Sequence, residues 1–443
     1  MLCFLALLCL WSSLGIVFAW SAGAPWWSGA VLGSILLVGT LAIGNLQVAA
    51  RLGARAPGKK LRGLSEETGV ELSSFDGPAP FLFAAGWRPR VFVSRGLLEQ
   101  CAGEAALLVR YTARCGGGFG GLVLTGSMAL PALLRAMDTA LEEYRRARGH
   151  PGPTDLLSGA LLWLAGAMES VAAVERGRFV ALDRRFEAET LGRALKGLAV
   201  RASTASTRPA WTRSFSALSP IGWADLTTIS RLAAIEKRGP GEVLDNADPP
   251  VVSWTRSHPD LRVRLARLRG EPARPAGGGA ALTEGIGPAA IFAGAVLALS
   301  PERLLAAPLV LGGAAWTLKF LLQFPLGRPV EGGVASAWRK VDRAWRGVPV
   351  RASGDLIRRD GWYLDDEEGS SVFLDLPAEG LGKMTSTVAV QGWLLGCPPR
   401  LVVGRIEHQG RTCRLFPLAR RLGVALGALA GGTSWAAYQW MGI

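Results

Sequence analysis

Few residues in this chain could bind a metal or attack a substrate. Among 443 residues there are three histidines, His150, His258 and His408, and six cysteines, Cys3, Cys9, Cys101, Cys115, Cys397 and Cys413. No two histidines stand four residues apart and no two cysteines have CxxC spacing. Neither a helix-borne zinc pair, a zinc ribbon nor a disulfide scaffold is therefore written locally. His150 sits in a Gly/Pro loop, His258 in a His-Pro turn and His408 in the turn Glu-His-Gln-Gly, so all three read as surface or turn histidines. The acidic run Asp365–Gly369 lacks the spacing of a calcium loop and reads as a solvated hairpin turn. No GxSxG elbow is present, and the glycines at 116–118 and 120–121 lack the Lys-Ser/Thr of a phosphate loop. Cys115 reads by default as a small buried cysteine; the alternative is a reactive thiol, since Arg114 beside it is of the type that lowers a thiol pKa.

These residues are carried by an apolar, basic chain. Hydrophobic residues make up 49%, the net charge is +14, and there are 57 Gly and 16 Trp. Lys and Arg are spread over loops between apolar segments, as the positive-inside rule would place them, and no basic–aromatic module for nucleic acid is seen. Apolar runs suggest a transmembrane hairpin over residues 1–50 and membrane segments at 121–137 and 154–174, the first interrupted by Pro131. A linker and second hairpin are expected over 271–325, and a final transmembrane helix over 422–443. The basic cluster Arg51, Arg55, Lys59, Lys60 and Arg62 places the following domain in the cytoplasm. Residues 345–417 alternate with period 2 and bear glycine turns, which predicts a small antiparallel β-barrel or sandwich of five or six strands.

Within 51–270, Arg90–Ser94 predicts a strand, Ser94-Arg95-Gly96 a turn and Leu97–Arg114 a helix. Here, at GWRPRVFVSRGLLEQ (Gly86–Gln100), the chain resembles the HtpX-like membrane zinc metalloproteases, relatives of the CAAX prenyl proteases and of the BlaR/MecR-type antibiotic-sensing receptors. Two later stretches are similar to the same family. Ala173–Arg185 keeps Arg176, Arg178, Asp183 and Arg184, and Ser257–Gly270 keeps His258, Pro259, Arg264, Leu265 and Leu268. The resemblance implies a strand beside a substrate cleft, then a helix whose HExxH motif holds zinc with two His at i and i+4, the Glu between them activating water. Matching the apolar run puts Arg110-Tyr111-Thr112-Ala113-Arg114 at those five positions; counting without a gap from Gly96 puts Thr112, Ala113 and Gly116 at the His, Glu and His. The third ligand falls on Phe179, and Asp183 matches a position near the ligands, where a salt bridge to Arg110 or Arg114 is one expected use. Two arginines would repel a dication.

The expectation is a mainly α membrane protein: a degenerate gluzincin-like α+β protease domain among transmembrane helices, plus a small all-β, OB-like domain. It would lie in the cell (inner) membrane, multi-pass, with its soluble domains cytoplasmic, in contact with membrane lipid and a protein or peptide client but not nucleic acid. No cofactor is expected, and no catalytic residue. An active zinc endopeptidase with a divergent site, or a structural membrane-assembly component, are the alternatives.

Overall fold

The computed structural model describes residues 22–51, 59–86, 90–148, 177–205, 212–245, 258–271, 306–341, 346–358, 361–376, 387–396, 398–414 and 417–440, with isolated residues at 11–19, 165–172 and 290–297. The chain divides into two compact units, Met1–Thr227 with Thr255–Ala273, and Thr228–Trp254 with Arg274–Ile443.

The first unit begins with α1 (Trp26–Arg51) and α2 (Lys59–Thr68), followed by strands β1 (Leu72–Phe75), β2 (Leu82–Ala85) and β3 (Arg90–Ser94). Four helices follow: α3 (Arg95–Gln100), α4 (Ala105–Cys115), α5 (Gly118–Arg148) and α6 (Gly177–Asp183). Then come α7 (Ala188–Thr204) and, after a return of the chain, α8 (Leu261–Leu268). The helix expected over Leu97–Arg114 is two helices, because the chain turns at Cys101–Glu104, where the Glu104 N–H donates to the Cys101 carbonyl. The sheet order is β1-β3-β2, with β1 parallel and β2 antiparallel to β3. The strand expected at a cleft edge is thus the central strand, and both its edges are occupied. Short β1 was not anticipated, since Leu-Ser-Ser-Phe carries a weak strand signal. Phe83 stacks on Phe92 and on Phe215, each at 5.1 Å between centroids, and forms the middle of the apolar core.

Ser94 and Gly96 explain why this strand and helix meet as they do. The fully buried Ser94 hydroxyl donates to the Ala79 carbonyl (2.8 Å), accepts from the Phe81 N–H (2.8 Å) and caps α3 by accepting from Leu97 (3.2 Å). A Cβ at Gly96 would lie 2.0 Å from the Pro78 carbonyl oxygen, so only glycine fits the crossing. Both side-chain requirements are structural and carry no chemistry.

The second unit contains α9 (Ala307–Gln323), β4 (Val330–Glu331), β5 (Val348–Arg358), β6 (Trp362–Asp366) and β7 (Ser371–Asp375). It continues with β8 (Thr387–Gly396), β9 (Pro399–His408), β10 (Arg411–Arg414) and α10 (Pro417–Trp440). The pairings run β5–β6–β7–β9–β8 and back to β5, which closes a five-stranded barrel. Only the β7–β9 pair is parallel, which is the Greek-key order of OB-type barrels. Its interior is aliphatic: Val350, Ala352, Leu364, Val372, Val388, Val390, Val403 and Ile406 are buried. Residues 228–236 of the helix Trp223–Glu236 add Leu232 and Ile235 to this core. Asp366 closes the acidic hairpin by accepting from Ser370 (2.6 Å) and also accepts from the Val334 N–H (2.7 Å). At the His408 end, Gln409 and Gly410 both have positive φ and turn the β9–β10 hairpin.

The mainly α, multi-pass architecture is corrected by these observations. The chain combines a three-stranded sheet and a closed barrel with its helices, and among the described residues one helical stretch, Gly118–Leu141, is long and apolar enough to cross a membrane. That stretch is two-thirds buried within the protein. It is also continuous through Pro131, where an interruption was expected. The expected hairpin over 271–325 contributes only the shorter apolar stretch Leu309–Gln323, and α1 only Trp26–Gly39. The segments 1–20, 154–174 and 286–299 fall almost wholly outside the described residues.

Gly96→Ala should destabilise the first unit by about 1–3 kcal/mol, because the new methyl meets backbone that cannot swing away. Thermal unfolding of the full chain measures this, and an unchanged midpoint would contradict the turn described.

Candidate functional site

The candidate site lies where α4, α6 and α8 converge. On α4 the buried positions are Ala105, Leu108, Val109, Tyr111, Thr112, Ala113 and Cys115. Arg110 and Arg114 are exposed: Arg110 donates to the Glu67 carbonyl (2.9 Å), and Arg114 lies 4.9 Å from the centre of the Phe186 ring. Of the first register read from the sequence, Arg110 and Arg114 face solvent while Tyr111, Thr112 and Ala113 are buried; of the second, Thr112, Ala113 and Gly116 are all buried. Cys115, one turn beyond Tyr111, is buried as well.

Asp183, at the end of α6, does not pair with Arg110 or Arg114. Its carboxylate accepts from Arg264 on α8 at two atoms, Nε to Oδ2 (3.0 Å) and Nη2 to Oδ1 (2.8 Å). The Tyr111 hydroxyl donates to Asp183 Oδ1 (2.7 Å) and accepts from Arg264 Nη2 (2.7 Å). Arg264 Nη1 donates to the Pro220 carbonyl (2.7 Å). The guanidinium, 1% exposed, also lies 5.4 Å from the Phe179 ring centre and 5.9 Å from that of Tyr111. A cation this deep survives only with such partners, since desolvation costs several kcal/mol per ion. Burial disfavours its charge, but Tyr111 and Asp183 outweigh that and raise the Arg264 pKa.

His258 is also buried, at 1% exposed, and is not the surface histidine the sequence suggested. Its Nε2 is 2.7 Å from the Ser219 carbonyl, to which it donates, and its ring lies 4.0 Å from Phe179. A Cβ at Gly222 would come within 3.0 Å of His258 Nδ1, so the ring is seated against backbone. Burial, helped by Arg264 and Arg178, holds its pKa well below 6.5, and the ring is neutral. Pro259 follows in the same turn and leads into Asp260, which caps α8 by accepting from the Arg262 N–H (2.9 Å). The sequence placed Arg264 only in a turn motif; its 81-residue separation from Asp183 gave no local signal of the pair.

Cys115 is no activated thiol. Burial pushes it up to about 12, although Arg178 and Arg264 pull the other way. Burial likewise raises the Tyr111 pKa.

Zinc is the group that the resemblance implies. At the positions matched to its ligands stand the exposed cations Arg110 and Arg114, or Thr112 and Gly116 in the ungapped count, together with the Phe179 ring, and the buried Arg264 guanidinium lies 5.4 Å from the centre of that ring. That set does not fit a dication: the aromatic ring has no lone pair to give, and Arg264 repels positive charge. Among the described residues, no group of three or more His, Cys, Asp or Glu is gathered where it could hold a metal ion. No protein-family model, curated protein or solved structure matches the chain.

Arg264→Met should cost about 3–5 kcal/mol by leaving the Asp183 carboxylate buried without its cation. Asp183→Asn combined with Arg264→Met should cost clearly less than the sum of the two single changes. Strict additivity in denaturant unfolding would show that the pair is not coupled.

Stability should also depend on pH in a defined way. His258 has a depressed folded pKa, so its contribution is present above about 6.5 and lost as pH falls below it. Cys115 has a raised folded pKa, so its contribution is complete below 9.0 and lost as pH rises towards about 12. Unfolding midpoints between pH 5 and 11 should therefore form a plateau with two falling shoulders. His258→Asn should flatten the acid one and Cys115→Ala should reduce the alkaline one.

Proposed function

We propose that this chain is a non-catalytic descendant of an HtpX-like metalloprotease frame, associated with the cell membrane, whose first unit binds or regulates a protein or peptide client. One observation carries the reading: a buried, fully bonded Arg264 guanidinium occupies the point where α4, α6 and α8 meet and where the protease frame would need its metal. The motif residues that resemble the family are used for packing here. Ser94 and Gly96 fix the strand–helix crossing, His258 seats the turn before α8, and Asp183 neutralises Arg264.

Client binding by addition of a strand to β3 is closed, because β1 and β2 already occupy its two edges. The exposed Arg114, over the half-buried Phe186 ring, marks the accessible flank of the site.

Metal analysis of the purified full chain tests the loss of zinc chemistry. We expect no stoichiometric zinc and no effect of chelators on unfolding. One tightly held zinc per chain, removed by chelation together with peptidase activity, would overturn the reading. A photo-crosslinking residue at Arg114 tests the client: capture of a defined peptide supports binding, and the absence of any adduct favours a purely structural role in the membrane.

A further inference from the structure

The second unit carries an apolar surface that its own fold does not cover. Helices α9 and α10 lie against one another, with Gly432 close enough to α9 that a Cβ there would come within 3.0 Å of Leu309 and Val310 atoms. Their outer faces leave Leu309, Trp316, Leu318 and Leu321 of α9 and Leu426 and Trp435 of α10 exposed. The C-terminal end of α9 is fixed to the barrel. Phe324 meets Trp393 edge to face at 5.8 Å, Trp393 Nε1 donates to the Pro325 carbonyl (3.0 Å), and the Gly347 N–H donates to the Gln323 carbonyl (2.8 Å).

At this junction the chain displays Leu326, which is 96% exposed. Two residues on is Arg328, and Arg346 adjoins Gly347; both arginines are exposed. The nearby Arg351 is already bonded to Glu407, and Glu331 is the one acid in the Phe324–Glu331 stretch. An exposed leucine flanked by two arginines, at the place where two apolar helices leave a folded barrel, has the chemistry of a membrane interface: acyl chains take the leucine and acidic headgroups take the guanidinium groups.

We propose that this end of the barrel docks on an anionic lipid bilayer, with Leu326 in the acyl layer, Arg328 and Arg346 at the headgroups, and the outer faces of α9 and α10 in lipid. Leu309–Gln323 is about 22 Å long at 1.5 Å per residue, against roughly 30 Å of hydrocarbon. The contact described is therefore burial of this face, and no number of crossings follows from it. It deepens the membrane association proposed above and is independent of the loss of zinc in the first unit.

The test uses the full chain reconstituted in nanodiscs, with Leu326→Cys labelled by an environment-sensitive fluorophore. A Gln409→Cys label on the exposed β9–β10 turn is the reference, and labelled wild-type protein corrects for the native cysteines. The label at 326 should be quenched by lipids brominated on their acyl chains and should be shielded several-fold from aqueous iodide relative to the label at 409. Shielding should be greater in discs of phosphatidylcholine with phosphatidylglycerol than in phosphatidylcholine alone, and R328E with R346E should remove that difference. Equal iodide access at 326 and 409 would overturn the proposal. So would iodide shielding without quenching by brominated lipid, which would mean that protein covers Leu326. A lipid-charge effect that survives R328E with R346E would overturn the headgroup assignment. Because Leu326 is almost wholly exposed, its replacement leaves folding intact, and a zinc-loaded first unit would not change any of these readings.

Discussion

A buried charge must be answered by its surroundings, and in the first unit that requirement organises everything near it. Arg264 has Asp183 across two contacts, the Tyr111 hydroxyl across a third and the Pro220 carbonyl across a fourth. These partners come from α4, α6 and the turn before the helix Trp223–Glu236, and Tyr111 and Arg264 stand 153 residues apart in the chain. The guanidinium thus ties together pieces that share little else.

The neighbours follow from the same constraint. His258 beside Arg264 stays neutral, because burial disfavours its charged form and the Arg264 and Arg178 guanidinium groups repel it. The Tyr111 hydroxyl both accepts from Arg264 and donates to Asp183, so its one proton and a lone pair are used within the triad. Cys115 is pressed into apolar surroundings that keep it a small, neutral filler. A thiol next to an arginine in the sequence need not be reactive, since Arg114 faces solvent while Cys115 is buried.

Much of the architecture was legible in the chain and much of the site was not, for reasons that differ by residue. The strand β5 alternates Val350, Ala352, Gly354 and Leu356 inward with Arg351 and Asp355 outward, a period of two that sequence alone displays. The strand–turn–helix at Ser94–Gly96 was visible because serine caps and glycine close approaches are local requirements. The burial of Arg264 and His258 was not visible, since charged and aromatic polar residues are usually solvated and their partners lie far along the chain. Membrane spans were over-read. An apolar run says that a segment avoids water, and α5 satisfies that by packing its apolar residues largely within its own unit. On α4 the first register's Arg110 and Arg114 face solvent while Tyr111 between them is buried, since one residue on a helix is a rotation of about 100° and decides which side chains meet.

The seam of the barrel has a consequence of another kind. Four of its five junctions are antiparallel ladders of four to eight residue pairs, whereas β7 and β9 join through two, Leu374 with Leu401 and Asp375 with Val402. Those partners stand 27 residues apart in the chain, so loop closure there returns little hydrogen bonding for the entropy spent. The barrel has in effect a clasp, held on either side by the antiparallel ladders of β7 with β6 and of β9 with β8.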